Sequence, residues 1–455
     1  MDKVKAVMSW LLKPGAETAQ ASQHKGFAPS GTDANTMVSV LVADFDGQEG
    51  ASAAVRVMDV LARIDGMMVK RMSRSLRIPK SKSPIEALLN AAETGRSWLK
   101  KEQADILVWG SIDPSGQGLS LRFLPLNGAP EGRAGAIGLG DVLELPLRYS
   151  TEVDDIIAAG ALCASGSTQA GSRDGFLAKL REITMQVEPL GGVEIAGLDQ
   201  VQLVTALQMI ANVMTTNARG DVEGLKKALT VYLRAIRLIP SDLLDGARRA
   251  LLYCQYAAAL QALGAKSNNA ESYEQAVEAY KSAITALNKT THPHDWALNN
   301  IRLGLAFYHL AHRSEQPKLM SHAIAALEQS LTVFTKATNL GRWAEVKNHI
   351  GVVMTSMGEE LSDNTMLERA ILAFDESLDI RKREHVVLLW AQTTNNLGAA
   401  AFALAKRTKD KELIQQASYA FEGAMQVYRE IGQEQRAHII EKNLKRTRDY
   451  LAEES

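Results

Sequence analysis

The sequence predicts two fold classes in series: an α/β domain, followed by an all-helical repeat array. Three tryptophans, Trp296, Trp343 and Trp390, lie 47 residues apart, and a glycine follows each of them by eight residues. A fixed period of this size is typical of stacked helix pairs, each of which buries its core against its neighbours. Before residue 190, apolar runs of strand length alternate with stretches of helical periodicity, the pattern of an α/β domain.

The first 36 residues precede both domains. In residues 1–12 (MDKVKAVMSWLL), one helical face would carry Val4, Met8, Leu11 and Leu12, which predicts a short amphipathic segment. Such a segment contacts a membrane surface, a partner or its own protein, and the sequence leaves these alternatives open. No convincing secretion signal is present. Residues 13–36 are small and polar with Gly and Pro, which predicts a flexible linker.

Residues 37–190 form the predicted α/β domain. Strands are expected at 37–46, 66–73, 104–113, 119–126 and 142–149, because these runs are apolar and of strand length. Helices are expected at 51–64, 84–103, 152–164 and 174–187. Strand, helix, strand, helix, strand and then a hairpin predict a mixed sheet.

Residues 198–431 form the predicted repeat array. A second marker with the same period consists of Ala276, Ala323, Ala370 and Ala417, each followed four residues later by a bulky apolar residue. The spacing predicts about five helix pairs, at 198–238, 242–289, 293–336, 340–382 and 386–430. A charged helix follows within residues 432–455, and it suits a terminal cap whose outer face meets water.

The repeat units resemble tetratricopeptide repeats (TPRs). The first helices read WALNNIRLGLAFY, WAEVKNHIGVVMT and WAQTTNNLGAAAF, and the second helices read HAIAALEQSL, RAILAFDESL and QASYAFEGAM. The unit is longer than the usual TPR of about 34 residues. HEAT and armadillo repeats also reach this length, but the glycine and the Ala-xxx-aromatic pattern favour a TPR superhelix.

In the TPR family, the first helices line a concave groove in which peptides usually lie. Carried over to this chain, the resemblance implies a peptide-binding set of Ile301, Asn348, Asn395, Tyr308, Thr355, Phe402 and Lys442. Asparagine side chains donate and accept hydrogen bonds, so they can hold a peptide backbone without regard to its sequence. The alternative, that these asparagines bond neighbouring helices, stays open.

The α/β region resembles the amino-terminal domain of TolB and its bacterial relatives. The segments that carry the resemblance are VSVLVADFDG, GMMVKRMSRSL and ADILVWGSIDPSGQGLSLRFLPL. Without a convincing secretion signal, the resemblance implies a cytoplasmic bacterial protein in which a TolB-like domain is fused to a TPR array.

LVADFDGQ also resembles the first motif of haloacid dehalogenase-like phosphatases. Asp44 and Asp46 would then serve as nucleophile and acid/base and would hold Mg²⁺. That chemistry needs a lysine to offset the phosphate charge, yet no lysine occurs between Lys101 and Lys179. We therefore predict a protein that is not an enzyme, with the phosphatase as an alternative.

A run of six cations without an acid extends from Lys70 to Lys82. It includes a candidate anion-binding set, Lys70, Arg71, Arg74 and Arg77, whose alternative is a solvated strand edge that discourages aggregation. The histidines between residues 292 and 322 fall on different helical faces, so no metal site and no cofactor are predicted.

Composition narrows the classes of function further. A net charge of −1 gives no reason to expect that the protein as a whole binds nucleic acid. Cys163 and Cys254 read as free thiols in a reducing compartment. The sequence predicts a cytoplasmic scaffold or adaptor that binds another protein or peptide in its groove. A peripheral membrane adaptor and a homo-oligomer remain open alternatives.

Overall fold

A computed structural model describes residues 38–79, 84–128, 132–166, 173–218, 220–239 and 245–453. The predicted amphipathic segment and the whole of the predicted linker lie outside these residues. The described chain falls into two compact units, 38–267 and 268–453. This boundary lies within the second predicted helix pair, so the domain limits drawn from the sequence stay a prediction.

The first unit contains a five-stranded mixed sheet with the strand order β2-β1-β3-β4-β5. The strands are Val38–Asp44, Met67–Ser75, Ile106–Ile112, Gly118–Pro125 and Leu143–Pro146. β1 runs parallel to β2 and β3, whereas β4 pairs antiparallel with β3 and with β5. The predicted strands are therefore present, with β5 shorter than expected. β2 is the exposed edge strand, consistent with its high content of Lys and Arg.

Helices cover both faces of this sheet. α1 (Gly50–Ala62) and α3 (Thr151–Ser165) contact each other and the strands on one face, while α2 (Pro84–Glu102) packs against β3 and β4 on the other. On the α2 side, the core joins Leu41, Leu107, Trp109 and Leu124 to Leu99 of α2. Because side chains alternate along a strand, Val40 and Val42, both fully buried, face the α1 side.

The rest of the first unit is helical. It consists of α4 (Arg173–Val187), a short 3₁₀ turn at Pro189–Gly192, α5 (Gln200–Asn217), α6 (Val222–Leu238) and α7 (Gly246–Ser267). Asp199 begins α5 with a reciprocal capping box to Gln202, which satisfies free backbone N–H groups at that end. α5 contacts β5 and α3, so the first predicted repeat helix packs directly on the α/β fold.

A buried carboxylate ties the α/β fold to α5 and α7. Asp141 is 3% exposed, and its Oδ1 accepts hydrogen bonds from Gln255 (2.8 Å), Gln208 (3.1 Å) and Asn212 (3.4 Å). Its Oδ2 accepts a hydrogen bond from the backbone N–H of Gly138 at 2.7 Å. The network holds a loop of the α/β fold to two helices that are distant in sequence.

The second unit consists of antiparallel helices whose first and second members alternate. They are α8 (Ala270–Ala286), α9 (Pro293–Arg313), α10 (Leu319–Leu331), α11 (Leu340–Leu361), α12 (Asn364–Leu378), α13 (Val387–Thr408), α14 (Lys411–Glu430) and α15 (Glu434–Glu453). Each neighbouring pair along the chain packs together, as expected for a helical repeat array. α15 follows the last pair, where the terminal cap was predicted.

The three tryptophans occupy equivalent environments. A cation seven residues earlier lies over each indole ring: Lys289 over Trp296 at 4.5 Å, Lys336 over Trp343 at 4.4 Å, and Arg383 over Trp390 at 5.6 Å. Aromatic faces attract cations in this geometry. The repeat seen in the sequence is therefore also a repeat in space.

The glycine row marks where each first helix touches its second helix. A Cβ atom on Gly304 would lie 2.8 Å from Leu327, and one on Gly351 would lie 2.7 Å from the ring of Phe374. A Cβ atom on Gly398 would lie 3.2 Å from Phe421. A Cβ atom would crowd the second helix at all three positions, most at Gly304 and Gly351, which accounts for a glycine every 47 residues.

We expect Gly351→Ala to destabilise the array by about 1–3 kcal/mol, because the added methyl group must displace a buried ring. The intrinsic helical preference for Ala, worth up to about 1 kcal/mol, offsets part of this cost. Gly341→Ala is the matched control, since this exposed glycine on the same helix has no neighbouring atom closer than 4.0 Å. Thermal or urea unfolding of both variants checks the expectation, and equal stabilities would contradict it.

Candidate functional site

The first helices of the second unit form one layer and the second helices form another. α11 has close backbone contacts with α9 and α13 in its own layer and with α10 and α12 in the other. The side of α9, α11 and α13 that lies roughly a quarter turn from the glycine row therefore points sideways, towards the neighbouring first helices. We call it the inner face, defined by four rows of residues: Ile301, Asn348, Asn395; Leu305, Val352, Ala399; Tyr308, Thr355, Phe402; and His312, Glu359, Lys406.

Five of the seven predicted peptide-binding residues are buried on this face. Asn348 and Asn395 are each 2% exposed, and the side chains of Ile301, Tyr308 and Thr355 are also buried. Phe402 is half-buried, and Lys442 is exposed on α15. A role for these seven residues in peptide binding therefore stays a prediction.

Asn348 bonds to a neighbouring helix, which is the alternative that the sequence left open. Its Oδ1 accepts a hydrogen bond from Nδ2 of Asn396 at 3.2 Å. Asn395 donates to Oδ1 of Asn396 over a long 3.5 Å. The Oδ1 of Asn395 is buried and has no hydrogen-bond partner among the described residues. Such an orphaned acceptor is unusual in a folded interior.

Contacts between consecutive first helices recur at a spacing of 48 residues. The Tyr308 hydroxyl lies 3.1 Å from that of Ser356, His312 Nδ1 lies 3.2 Å from Glu360, and Phe402 meets Tyr450 edge-on with ring centroids 6.0 Å apart. Asn348 and Asn396 follow the same rule. The partners Ser356, Glu360, Asn396 and Tyr450 were missed from the sequence, although a search one residue beyond the repeat period would have found them.

The charges of the inner face are uneven. Glu359 is half-buried, and burial raises the pKa of its carboxyl group. The nearby cations Lys406 and Arg446 act against burial and lower that pKa. Its counterpart on α13, Lys406, is exposed, and Lys442 on α15 adds a further cation. The face is therefore acidic on α11 and basic towards α15.

Glu345, one turn before Asn348, is held as a carboxylate. Burial acts to raise its pKa, but His349 and Arg342 together outweigh burial and lower the pKa to about 2. The Arg342 guanidinium lies 2.7 Å from the Glu345 carboxylate, and His349 Nε2 lies 3.8 Å from it. This negative charge is compensated within α11, whereas the cations that act on Glu359, Lys406 and Arg446, lie on α13 and α15.

Both carboxylates of the phosphatase-like motif are engaged in ion pairs. Asp44 pairs with Arg71 at 2.8 Å, and Asp46 pairs with Arg77 at 2.7 Å. Asp46 also forms a backbone bridge with Ser111 at the ends of β1 and β3. The arrangement neutralises both aspartates and two of the four cations in the candidate anion-binding set.

The other predicted residues of the α/β fold are the remaining two cations of the candidate anion-binding set and the acidic pair on α3. Lys70 and Arg74 are exposed on β2. Asp154 and Asp155 lie within the first five residues of α3, not at the end of a strand, so they do not match the acidic pair of the phosphatase family. In the described ranges, no cluster of three His, Cys, Asp or Glu side chains is arranged to hold a metal ion. No helix in the described part of the chain is both long and apolar enough to cross a bilayer.

Comparison with known proteins leaves the chain without a family assignment. No protein-family model matches it, and no curated protein does. Among solved structures, it is similar to the crystal structure of yeast Tom70, with 12% sequence identity over 88% of this chain and 81% of that one, and a TM-score of 0.24. A likeness this slight carries no argument about function. The TPR-like character of the second unit rests on the glycine, tryptophan and alanine rows described above.

Proposed function

We propose that this protein is a non-enzymatic adaptor that binds a segment of another protein on the inner face of its helical array. One observation carries the proposal: three consecutive first helices present equivalent residues on the same face at a spacing of 47 residues. The first three rows offer apolar, amide and hydroxyl side chains, and the last row offers a histidine, an acid and a base. Amphipathic or extended segments are the ligands that such repeated surfaces suit.

The proposal also covers the relationship of the first unit to known domains and the cellular compartment of the protein. The order of strands and helices in residues 38–187 supports a relation to the TolB amino-terminal domain. Two buried free cysteines, Cys163 and Cys254, support a reducing compartment such as a bacterial cytoplasm. The ion-paired aspartates support a binding role for this unit over phosphoryl transfer.

A pair of aromatic positions tests the proposed site. A photo-crosslinking amino acid replaces either Phe402, half-buried on the inner face, or Tyr419, which is 63% exposed on the outer side of α14. In the native cell, we expect the inner position to crosslink a defined protein and the outer position not to do so. Mass spectrometry identifies the captured protein.

Once the captured protein is identified, Phe402→Ala should weaken its binding to this protein by roughly 1–2 kcal/mol, the usual cost of truncating an aromatic anchor. Tyr419→Ala should leave affinity unchanged. Isothermal titration calorimetry compares the two. Changing Asn348 and Asn395 to alanine is a poorer test, because Asn348 also joins α11 to α13. Capture from Tyr419 alone, or from Lys70 on the edge strand alone, would show that the inner face is not the site.

A further inference from the structure

The outer edge of β2 carries backbone groups that pair with no other described strand. On the inner edge, the N–H of Val38 in β1 donates a hydrogen bond to the carbonyl oxygen of Gly66 at 3.1 Å. Alternate residues of a strand bond to the same neighbour, so every second residue of β2 points its backbone groups away from β1. By register these residues are Met67, Val69 and Arg71. Among their outward groups, the Met67 N–H donates to the carbonyl oxygen of Ile64, and those of Val69 and Arg71 remain available to a further strand.

The regular part of this edge has the length and straightness that a further strand needs. Over residues 67–72 the pairing with β1 is continuous, and the register shifts only at Ser73 and Arg74, which have no partner on β1. Residues 67–69 are half-buried and contain neither a charge nor a proline. Edge strands are usually protected against further pairing by charges, prolines or bulges. In β2, the charges and the irregularity lie only from Lys70 onwards.

The charge along the edge indicates which kind of strand it would accept. Arg71 and Arg77 are already neutralised by the aspartates of β1 and of the turn that follows it. Lys70 and Arg74 are exposed, and neither forms an ion pair with another described residue. The described residues from 66 to 79 include no acid. An incoming strand would therefore meet positive charge that is not compensated, which favours an acidic strand.

The two sides of β2 differ in the same way as the two faces of an alternating peptide. Met67, Val69 and Arg71 lie in register with Val38, Val40 and Val42 and share their side of the sheet, the α1 side. Because Arg71 is neutralised, this side offers an added strand mainly apolar neighbours. On the α2 side the central residue is Lys70. Apolar residues towards α1 and acidic residues towards α2 would therefore suit both sides of the edge.

We propose that β2 binds an extended acidic segment of a partner protein, which adds to the five-stranded sheet as a further strand. Main-chain hydrogen bonds to Val69 and Arg71 would supply affinity, and the alternating side chains would supply specificity. The edge belongs to the first unit and the inner face to the second. Binding at the edge therefore does not depend on the function proposed above.

Proline at position 69 tests the backbone requirement. The Val69 N–H points outwards, so Val69→Pro keeps the hydrogen bonds to β1 but removes an outward donor and places its ring at the edge. Val69→Thr is the matched control, because it keeps the N–H and suits a strand. The probe is a fluorescein-labelled peptide of about eight residues in which valine and glutamate alternate. By fluorescence anisotropy on the full chain, we expect Val69→Pro to weaken binding at least about 10-fold and Val69→Thr to change it less than about 2-fold.

Charge reversal at position 70 tests the choice of an acidic strand and leaves the backbone intact. Lys70→Glu should weaken binding of the same peptide about 5-fold or more, because like charges would then lie side by side. A peptide with lysine in place of glutamate should show the opposite preference between wild type and Lys70→Glu. Lys101→Glu, which reverses an exposed charge at the end of α2, is the control for net charge and should leave binding within about 2-fold.

Residue-resolved hydrogen exchange separates strand addition from simple attraction between charges. With saturating valine–glutamate peptide, the amides of Val69 and Arg71 should exchange at least about 10-fold more slowly, because they would gain acceptors. The amides of Lys70 and Met72 already bond to β1, so their exchange should change little. This alternation is expected only if a strand adds to the edge.

Several outcomes would overturn this assignment of the edge. They are equal binding to Val69→Pro and Val69→Thr, binding without slower exchange at Val69, and no binding at about 1 mM peptide. Without peptide, a Val69 amide that is protected at every protein concentration would show that the chain itself already covers the edge. Protection that grows with protein concentration would assign the edge to a second copy of the chain. If circular dichroism shows that Val69→Pro does not fold, Lys70→Glu and the exchange pattern still decide.

Discussion

Asp141→Ala is expected to lower the unfolding free energy of the first unit by about 3 kcal/mol or more. The change removes an acceptor that serves Gln208, Asn212 and Gln255. Gln208 still donates to Gln255 Oε1 at 2.8 Å, whereas the side-chain N–H groups of Asn212 and Gln255 lose this acceptor. Each unsatisfied buried donor costs roughly 1–3 kcal/mol, although shared networks are not additive. Because the network joins the α/β fold to α5 and α7, unfolding should also become less cooperative between them.

Urea unfolding followed by circular dichroism measures this loss. Asp59→Ala is the control, because Asp59 is exposed in the last turn of α1 and its replacement by Ala favours the helix. Asp141→Asn should cost less than Asp141→Ala, since an amide oxygen can still accept from the three side chains. Equal costs for Asp141→Ala and Asp59→Ala would show that the network contributes nothing to stability.

The same carboxylate gives a pH dependence of known sign. Burial raises the pKa of Asp141 above its value of about 3.9 in an unfolded chain. The folded state therefore holds the proton more tightly, and ionisation of Asp141 opposes folding. The stability of wild type relative to Asp141→Asn should fall as the pH rises through the raised pKa. A difference that is constant from pH 4 to 8 would contradict the raised pKa.

The features that could be predicted from the sequence are those in which the local structure of one element restricts the type of residue at a position. Gly351 recurs at its spacing because the backbone of α11 approaches the Phe374 ring, and that requirement is visible in a single chain. β1 and β3 are recognisable because they are buried on both faces and so are almost wholly apolar. These patterns predicted the order and the approximate limits of nearly every described element.

The features that could not be predicted depend on how separate elements rotate against each other. The sequence leaves open whether Asn348 faces a ligand or a neighbouring helix. In the structure its hydrogen-bond partner is Asn396, because neighbouring first helices meet with an offset of one residue from the repeat. Asp141 lies in a loop that the sequence marks as unremarkable, and its partners are 67 to 114 residues away. Such pairings arise from tertiary packing, which local periodicity does not encode.

Phe374→Ala is expected to cost the array about 3–5 kcal/mol, the usual range for removing a buried aromatic ring and leaving a cavity. Phe374 is fully buried between α12 and α11, at the point where the two helices are closest. In a repeat array each unit is stabilised mainly by its neighbours, so the loss should be concentrated in α11 and α12. Hydrogen exchange resolved along the chain measures it there. Leu372→Ala is the control, since Leu372 lies on the same helix and is 63% exposed.

The double variant Gly351→Ala, Phe374→Ala separates local crowding from a general loss of stability. If the methyl group of Gly351→Ala destabilises the array by pressing on the ring, its cost should disappear once the ring is gone. In the Phe374→Ala background, Gly351→Ala should then be neutral or stabilising by up to about 1 kcal/mol, the helical preference of Ala over Gly. Additive costs in this cycle would mean that the two residues do not interact. The recurring glycine would then owe its place to something other than close packing against the second helix.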